Sequence, residues 1–168
     1  MHEAAFSAVD RFVSHLGLNT LVGTGLDLGG RDVNGTVHGL FPEVKWTVLD
    51  IEPHPSVDIV ADVTTWQPEG EYDIVLSTEA IEHIAAWPRI IQAGHAVLRP
   101  GGYMIVTGGS TGRGPHSCTG VVPVPPGEHY GNVSPDDLER VARDTGFSDI
   151  NVEYNPEPHF DVYMWAQR

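Results

Sequence analysis

The stretch that most limits what this chain can fold into is residues 24–35, T-G-L-D-L-G-G-R-D-V-N-G. Its apolar residues lead into an acid, Asp27, and then a glycine pair, Gly29 and Gly30. That order predicts a buried strand, a tight turn and the start of a helix. The two glycines can take backbone angles closed to other residues and let a ligand approach the main chain. Further acids, Asp50 and Asp62, follow two more apolar segments. A nucleoside needs an acceptor for two ribose hydroxyls, and a carboxylate at a strand end supplies one. Asp50 lies about twenty residues beyond Asp27, the offset expected in nucleotide-binding folds. The three acids together predict a nucleoside crevice at the edge of a parallel sheet.

The rest of the chain fits that frame. Phe6, Val9, Val13 and Leu16 recur at helical spacing and predict an amphipathic helix over 4–16, stopped at Gly17, that packs on the core and roofs the crevice. Strands are expected over 21–28, 45–50, 57–61, 72–77 and 103–107, and a short helix over 33–41. Pro88 marks the first residue of a helix whose face is Trp87, Ile90, Ile91, Gly94, Val97 and Leu98. Ser134 caps a second helix, with Leu138, Val141, Ala142 and Thr145 inward and Gly146 at its end. Segments 147–154 and 161–166 read as two closing strands without a helix between them. Alternating strands and helices call for an α/β fold with a mostly parallel sheet, helices on both faces and an antiparallel C-terminal edge. Short links after the second and third strands make it a version reduced in helices. The length suits a single domain over 1–168.

Composition removes several function classes. The net charge is −14, with Lys45 the single lysine, so the basic face of a nucleic-acid binder is missing. No apolar run approaches a membrane span, and the acidic N-terminal stretch is unlike a signal peptide. A cytoplasmic protein is expected, and a homodimer is compatible with it. Cys118 is the one cysteine, read as an inert thiol in a reducing setting. The nine histidines, His38, His54, His83 and His95 among them, show no ligand spacing, so no metal is expected.

The order L-D-L-G-G, V-L-D-I, A-D-V, Y-D-I-V-L-S-T-E-A-I-E-H-I and L-R-P-G-G-Y-M-I-V resembles class I S-adenosylmethionine-dependent methyltransferases, most closely their ubiquinone-biosynthesis-like small-molecule group. The resemblance implies a Rossmann-like methyltransferase fold, S-adenosyl-L-methionine as cofactor and a small-molecule acceptor. It implies that Asp27, Gly29 and Gly30 lie at the methionine part of the cofactor. Asp50 would take the ribose hydroxyls, Ile51 the adenine face, and Asp62 with Val63 the adenine edge. Ser77, Thr78 and Glu79 would begin the wall between cofactor and acceptor. The family loop usually continues with two more glycines, where this chain has Arg31 and Val33, followed by Asn34 and Gly35. Arg31 is accordingly read as a donor to the methionyl carboxylate. The missing glycine counts against NAD, whose pyrophosphate needs it.

Other readings stand beside these. Asp62 reads equally well as a turn acid. Residues 108–133 form a long segment rich in glycine and proline, carrying Arg113, His116, Glu128, His129 and Tyr130. It reads as an acceptor flap or as a loop without a role. If the acceptor is a hydroxyl, His129 is the candidate base, with His83 in reserve. His83 also reads as a partly buried histidine bonded to the backbone. The alternative to an enzyme is a binding or regulatory module that keeps the fold and transfers nothing.

Overall fold

The structure is a computed structural model and describes residues 2–168. Ten regular elements follow in the order α1 (Glu3–Leu16), β1 (Gly23–Leu28), β2 (Val44–Asp50), β3 (Ile59–Val60), β4 (Tyr72–Thr78), α2 (Pro88–Val97), β5 (Leu98–Gly109), α3 (Pro135–Thr145), β6 (Asp149–Asn155) and β7 (Asp161–Gln167). The strands form one seven-stranded sheet in the order β3-β2-β1-β4-β5-β7-β6. β3, β2, β1, β4 and β5 pair in parallel. The C-terminal hairpin supplies the antiparallel edge: β7 pairs antiparallel with both β5 and β6.

The two faces carry separate cores because strand side chains alternate. Val75, Met104, Val106, Val162 and Met164 meet α2 and α3. Ile74, Leu76, Ile105, Tyr163 and Trp165 meet α1. On α2, Gly94 lets Met104 close in, since a Cβ there would lie 2.7 Å from its sulfur. α3 begins as its residues dictate: the Ser134 hydroxyl accepts from the Asp137 amide, and Gly146 ends the helix in the left-handed conformation.

Four expectations differ from the structure. The apolar stripe of α1 is Ala5, Ala8, Val9, Phe12 and Val13, so Phe6 stays 40% exposed and the small alanines set the approach to the sheet. No helix follows the glycine turn; residues 29–43 hold only a 3-10 turn, His38–Leu40. The cause is local: Gly35 takes φ +87, and the Asp32 carboxylate accepts from its amide at 2.7 Å, a side-chain turn that diverts the chain. Val37 and Phe41 then do a helix's work by inserting into the α1 face. The strand expected at 57–61 is two residues long: at Asp58 the carboxylate accepts from the Val48 amide of β2 at 2.9 Å, while the Asp58 amide donates to the Val48 carbonyl at 2.9 Å. β5 begins at Leu98 rather than 103, with an irregular register opposite Tyr72 and Ile74 that accommodates the glycine pair 101–102.

β1 has β2 on one side and β4 on the other, and the chain order reverses there. Ligands of open α/β sheets bind beyond the carboxyl ends of the strands at such a switch point.

Candidate active site

A cavity of about 600 Å³ opens at that switch point. Its floor is the glycine turn. The Gly29 and Gly30 amides both donate to the Leu49 carbonyl, at 2.8 and 3.2 Å, which ties the turn to β2. Gly29 has φ +76, and a Cβ there would sit 2.8 Å from Ala80 Cβ. A Cβ on Gly30 would sit 2.3 Å from Asp27 Cγ. Glycine is therefore required at Gly29 by contact and by conformation, and at Gly30 by contact.

Asp27 is 2% exposed. Its Oδ2 pairs with His38 Nε2 at 2.8 Å, while its Oδ1 is buried with no partner. His38 is itself held flat on Trp46, with centroids 4.4 Å apart. Asp50 stands at the end of β2 with both oxygens aimed by backbone amides: Oδ1 accepts from Glu52 at 2.9 Å and Oδ2 from Arg31 at 3.2 Å. Ile51 is exposed at the rim, and Val63 closes the wall from the core. Asp62 lines the same cavity, yet its Oδ1 accepts from the Thr64 amide at 2.8 Å and hydroxyl at 2.7 Å. One oxygen of Asp62 is thus committed to the turn.

Asp27, Gly29, Gly30, Arg31, Asn34, Asp50, Ile51, Asp62, Val63, Thr78, Glu79, His83 and His129 thus line one cavity. Ser77 does not. It is fully buried, and its hydroxyl donates to the Leu28 carbonyl at 2.9 Å, so it braces β1 from β4 beneath the glycine turn. The strand alternation explains the correction: Ser77 points away from the side on which Thr78 opens.

Beyond β4 the chain turns sharply. Glu79 takes φ +55, a conformation that costs a non-glycine residue about 1–3 kcal/mol and collects at functional sites. Two contacts hold it: its amide donates to the Thr107 carbonyl and the Thr107 hydroxyl donates to its Oε1, both at 2.9 Å. The outward Oε2 lies 3.2 Å from His2 Nε2, which is also 3.3 Å from Asp161 Oδ2. Both are ion-pair contacts between the imidazole and a carboxylate. Asp161, and after it Glu79, push the His2 imidazole up to about 9, so it is a cation at neutral pH. Asp161 also takes Arg113 at 2.7 Å and the Tyr163 hydroxyl at 2.8 Å.

Residues 110–134 form the opposite wall, and they are tied down. Gly131 donates to the Glu82 carbonyl at 2.8 Å, Val133 to Gly109 at 3.0 Å, and Arg113 to the His159 carbonyl at 2.8 Å. His116, Cys118, Glu128 and His129 face the cavity from this segment. Burial, followed by Glu128, raises the Cys118 thiol, which leaves it protonated although Arg31 lies 3.8 Å from its sulfur. Glu82 is 1% exposed and is pushed up to about 8 by burial first and Glu79 second. Burial, then His116, lowers His83, which is therefore neutral.

The chain matches the methyltransferase domain family over residues 1–152. The chain belongs to that family. As a class I, S-adenosylmethionine-dependent methyltransferase domain, it has relatives among named enzymes. It is similar to a ubiquinone biosynthesis O-methyltransferase of Bordetella bronchiseptica (strain ATCC BAA-588 / NCTC 13252 / RB50), 29% identical over 147 residues. That match covers 79% of this chain and 57% of the relative, so the chain spans little more than half the length of the curated relatives it matches. The fold is similar to that of the Burkholderia thailandensis 1,6-didemethyltoxoflavin-N1-methyltransferase bound to 1,6-didemethyltoxoflavin and S-adenosylhomocysteine. The TM-score is 0.72 at 18% identity, over 99% of this chain and 79% of that one. It is also similar to the Haemonchus contortus phosphoethanolamine N-methyltransferase 2 in complex with S-adenosyl-L-methionine. There the TM-score is 0.70 at 16% identity, over 98% of this chain and 52% of that one.

Four residues of this methyltransferase domain escaped sequence reasoning. His2 and Asp161 are remote in sequence from every motif, and only the sheet order joins them. His38 was weighed only as a metal ligand. Glu82 sits three residues after Glu79, the one cue that could have singled it out.

Proposed function

We propose that the protein transfers a methyl group from S-adenosylmethionine to a small-molecule acceptor, and that it is a working enzyme rather than a binding module. The observation that carries this is the convergence of Asp27, Asp50 and Asp62 on one cavity at the switch point, with the Asp50 oxygens pre-aimed by two amides. The cofactor fits these residues on two counts. Asp27 Oδ1 is a buried acceptor without a partner, suited to the methionyl ammonium. The cradle at Gly29 and Gly30 is space that any Cβ would fill.

Asp50 would accept from the ribose hydroxyls, Ile51 would cover one adenine face, and the free oxygen of Asp62 would accept from the adenine amine beside Val63. Arg31, whose Nε is buried without a partner, would reach the methionyl carboxylate, with Asn34 on the same loop. The cofactor supplies an electrophilic methyl on a sulfonium, displaced in line. The protein's share is to fix the acceptor opposite that methyl and exclude water, which can remove about 7–11 kcal/mol of barrier. Thr78 and Glu79 stand between the two halves of the cavity. His129 lines the cavity and would take a proton from a hydroxyl acceptor, with His83 in reserve when its imidazole carries no other ligand.

The cavity volume suits a nucleoside plus a small acceptor, and the charge of −14 disfavours a nucleic acid. The test is calorimetric titration with S-adenosylhomocysteine followed by a radiolabelled methyl screen over phenols, sugars, amines and lipids. Binding with transfer to one class supports the reading. Binding with no transfer to any class would favour the non-catalytic module.

A further inference from the structure

The acceptor half of the cavity holds a cluster that methyl transfer as such does not need. One ligand-type atom each from Glu82, His83 and His116 lies within 4.8 Å of the other two. They come from two separate places. Glu82 and His83 sit on the 3-10 turn Ile81–His83, and His116 is on the opposite wall. The two imidazole rings meet edge to face, with centroids 5.3 Å apart. Tyr130 packs on both rings, at 5.6 and 4.8 Å, and fixes their orientation.

The polar bookkeeping of this cluster is incomplete. Glu82 is 1% exposed, and its Oε2 has no hydrogen-bond partner; neither has the buried Nδ1 of His83. A buried carboxylate oxygen left alone is unfavourable, more so if charged. The contact between His83 Nε2 and Glu82 Oε1 is 3.9 Å, too long to be the missing bond. The missing Cβ of Gly108 is what lets Glu82 Oε2 lie there, since a Cβ would come within 2.7 Å of it. An acid and two imidazoles held close, with an unpartnered atom on the acid and on one of the rings, are what a cation would complete.

We propose that Glu82, His83 and His116 form a binding site for a divalent ion of the zinc, manganese, iron or cobalt class, on the acceptor side of the cavity. Two imidazoles and one carboxylate suit those ions better than magnesium or calcium, which prefer all-oxygen shells. Ligand atoms about 2.0–2.2 Å from one ion stand roughly 3–3.5 Å apart, so binding draws the wall of residues 110–134 inward by an ångström or so. Three protein ligands leave coordination positions open. His83 and His116 both line the cavity, so those positions face the space where the acceptor would enter. The other candidate group, His2, His159 and Asp161, is different. Its carboxylate already holds Arg113 and the Tyr163 hydroxyl, and a cation there would meet a guanidinium.

The ligands were invisible to spacing arguments because His116 lies more than thirty residues beyond His83 in the sequence. The site rests on geometry and not on the methyl-transfer reading, so each can fail alone. The test is calorimetric titration of chelator-treated protein with Zn²⁺, Mn²⁺, Co²⁺ and Mg²⁺ separately. The parent is compared with His116→Ala and Glu82→Gln, and S-adenosylhomocysteine titrations run in parallel. His116 is half-exposed, so its variant keeps the fold even if Glu82→Gln does not. We expect one ion per chain for at least one of the first three, weak or no Mg²⁺ binding, and at least about a hundredfold weaker binding in His116→Ala with S-adenosylhomocysteine affinity kept. The proposal is overturned if the parent binds none of the first three, or if His116→Ala binds them as tightly as the parent.

Discussion

Replacing Asp50 by alanine is the sharpest single perturbation of the cofactor cradle. In the structure each carboxylate oxygen receives one backbone amide, from Glu52 at 2.9 Å and from Arg31 at 3.2 Å. Each keeps lone-pair capacity for a ribose hydroxyl on the cavity side. Hydrogen bonds to a charged group contribute about 1.5–3 kcal/mol each. Losing two therefore removes roughly 3–6 kcal/mol, and a tenfold change in Kd corresponds to about 1.4 kcal/mol. Affinity for S-adenosylhomocysteine should fall at least about a hundredfold. Stability should change little, because the two freed amides lie beside an open cavity and water can replace the carboxylate. Asp50→Asn keeps one acceptor oxygen and should fall between the two. Isothermal titration measures the affinity, and thermal unfolding followed by circular dichroism checks the fold. A folded Asp50→Ala protein that binds within about threefold of the parent refutes the assignment of the ribose to Asp50.

Three further outcomes follow from other parts of the structure. Ser77→Ala should lower stability by about 1–2 kcal/mol in urea unfolding, since the buried Leu28 carbonyl loses its hydroxyl partner; an unmoved midpoint would show that β1 does not need the brace. Gly30→Ala drives a Cβ into Asp27, so it should cost about 1–3 kcal/mol of stability and remove measurable S-adenosylhomocysteine binding; normal binding would contradict the close packing of that turn. The His2 imidazole has a raised pKa of about 9 through Asp161 and Glu79. Its stabilising charge is thus complete below its ordinary value near 6.5 and is lost as pH rises through 9. Water at the ring's open edge screens it, so the stability difference between about pH 6 and about pH 10 should be about 1 kcal/mol larger in the parent than in His2→Ala, the rest coming from groups such as Glu82 that titrate in the same window; an equal difference in both proteins would remove His2 as its source.

Much of this architecture could be read from the residues because local signals and the global fold agree. Pro88, Ser134 and Gly146 mark helix boundaries that the structure keeps. Asp27, Asp50 and Asp62 each end or follow a strand where strand order brings them together. Other features depend on tertiary partners that no local pattern encodes. The helix expected after the glycine turn gives way to a side-chain turn at Asp32, and Val37 and Phe41 are recruited by the earlier helix α1. Ser77 sits in the right motif but on the wrong face of β4. The link from His2 through Asp161 to Arg113 joins the first turn of the chain, the last strand and the wall segment. It exists only because β7 inserts beside β5.

The measurement that bears most directly on the central claim is a crystal structure grown with S-adenosylhomocysteine. The account predicts the ribose hydroxyls on Asp50, the methionyl ammonium on Asp27 Oδ1 over the glycine turn, and the sulfur facing Glu79 and the wall of residues 110–134. Ligand density lying elsewhere, or a cavity at Asp27 and Asp50 filled only by water at saturating ligand, would contradict it.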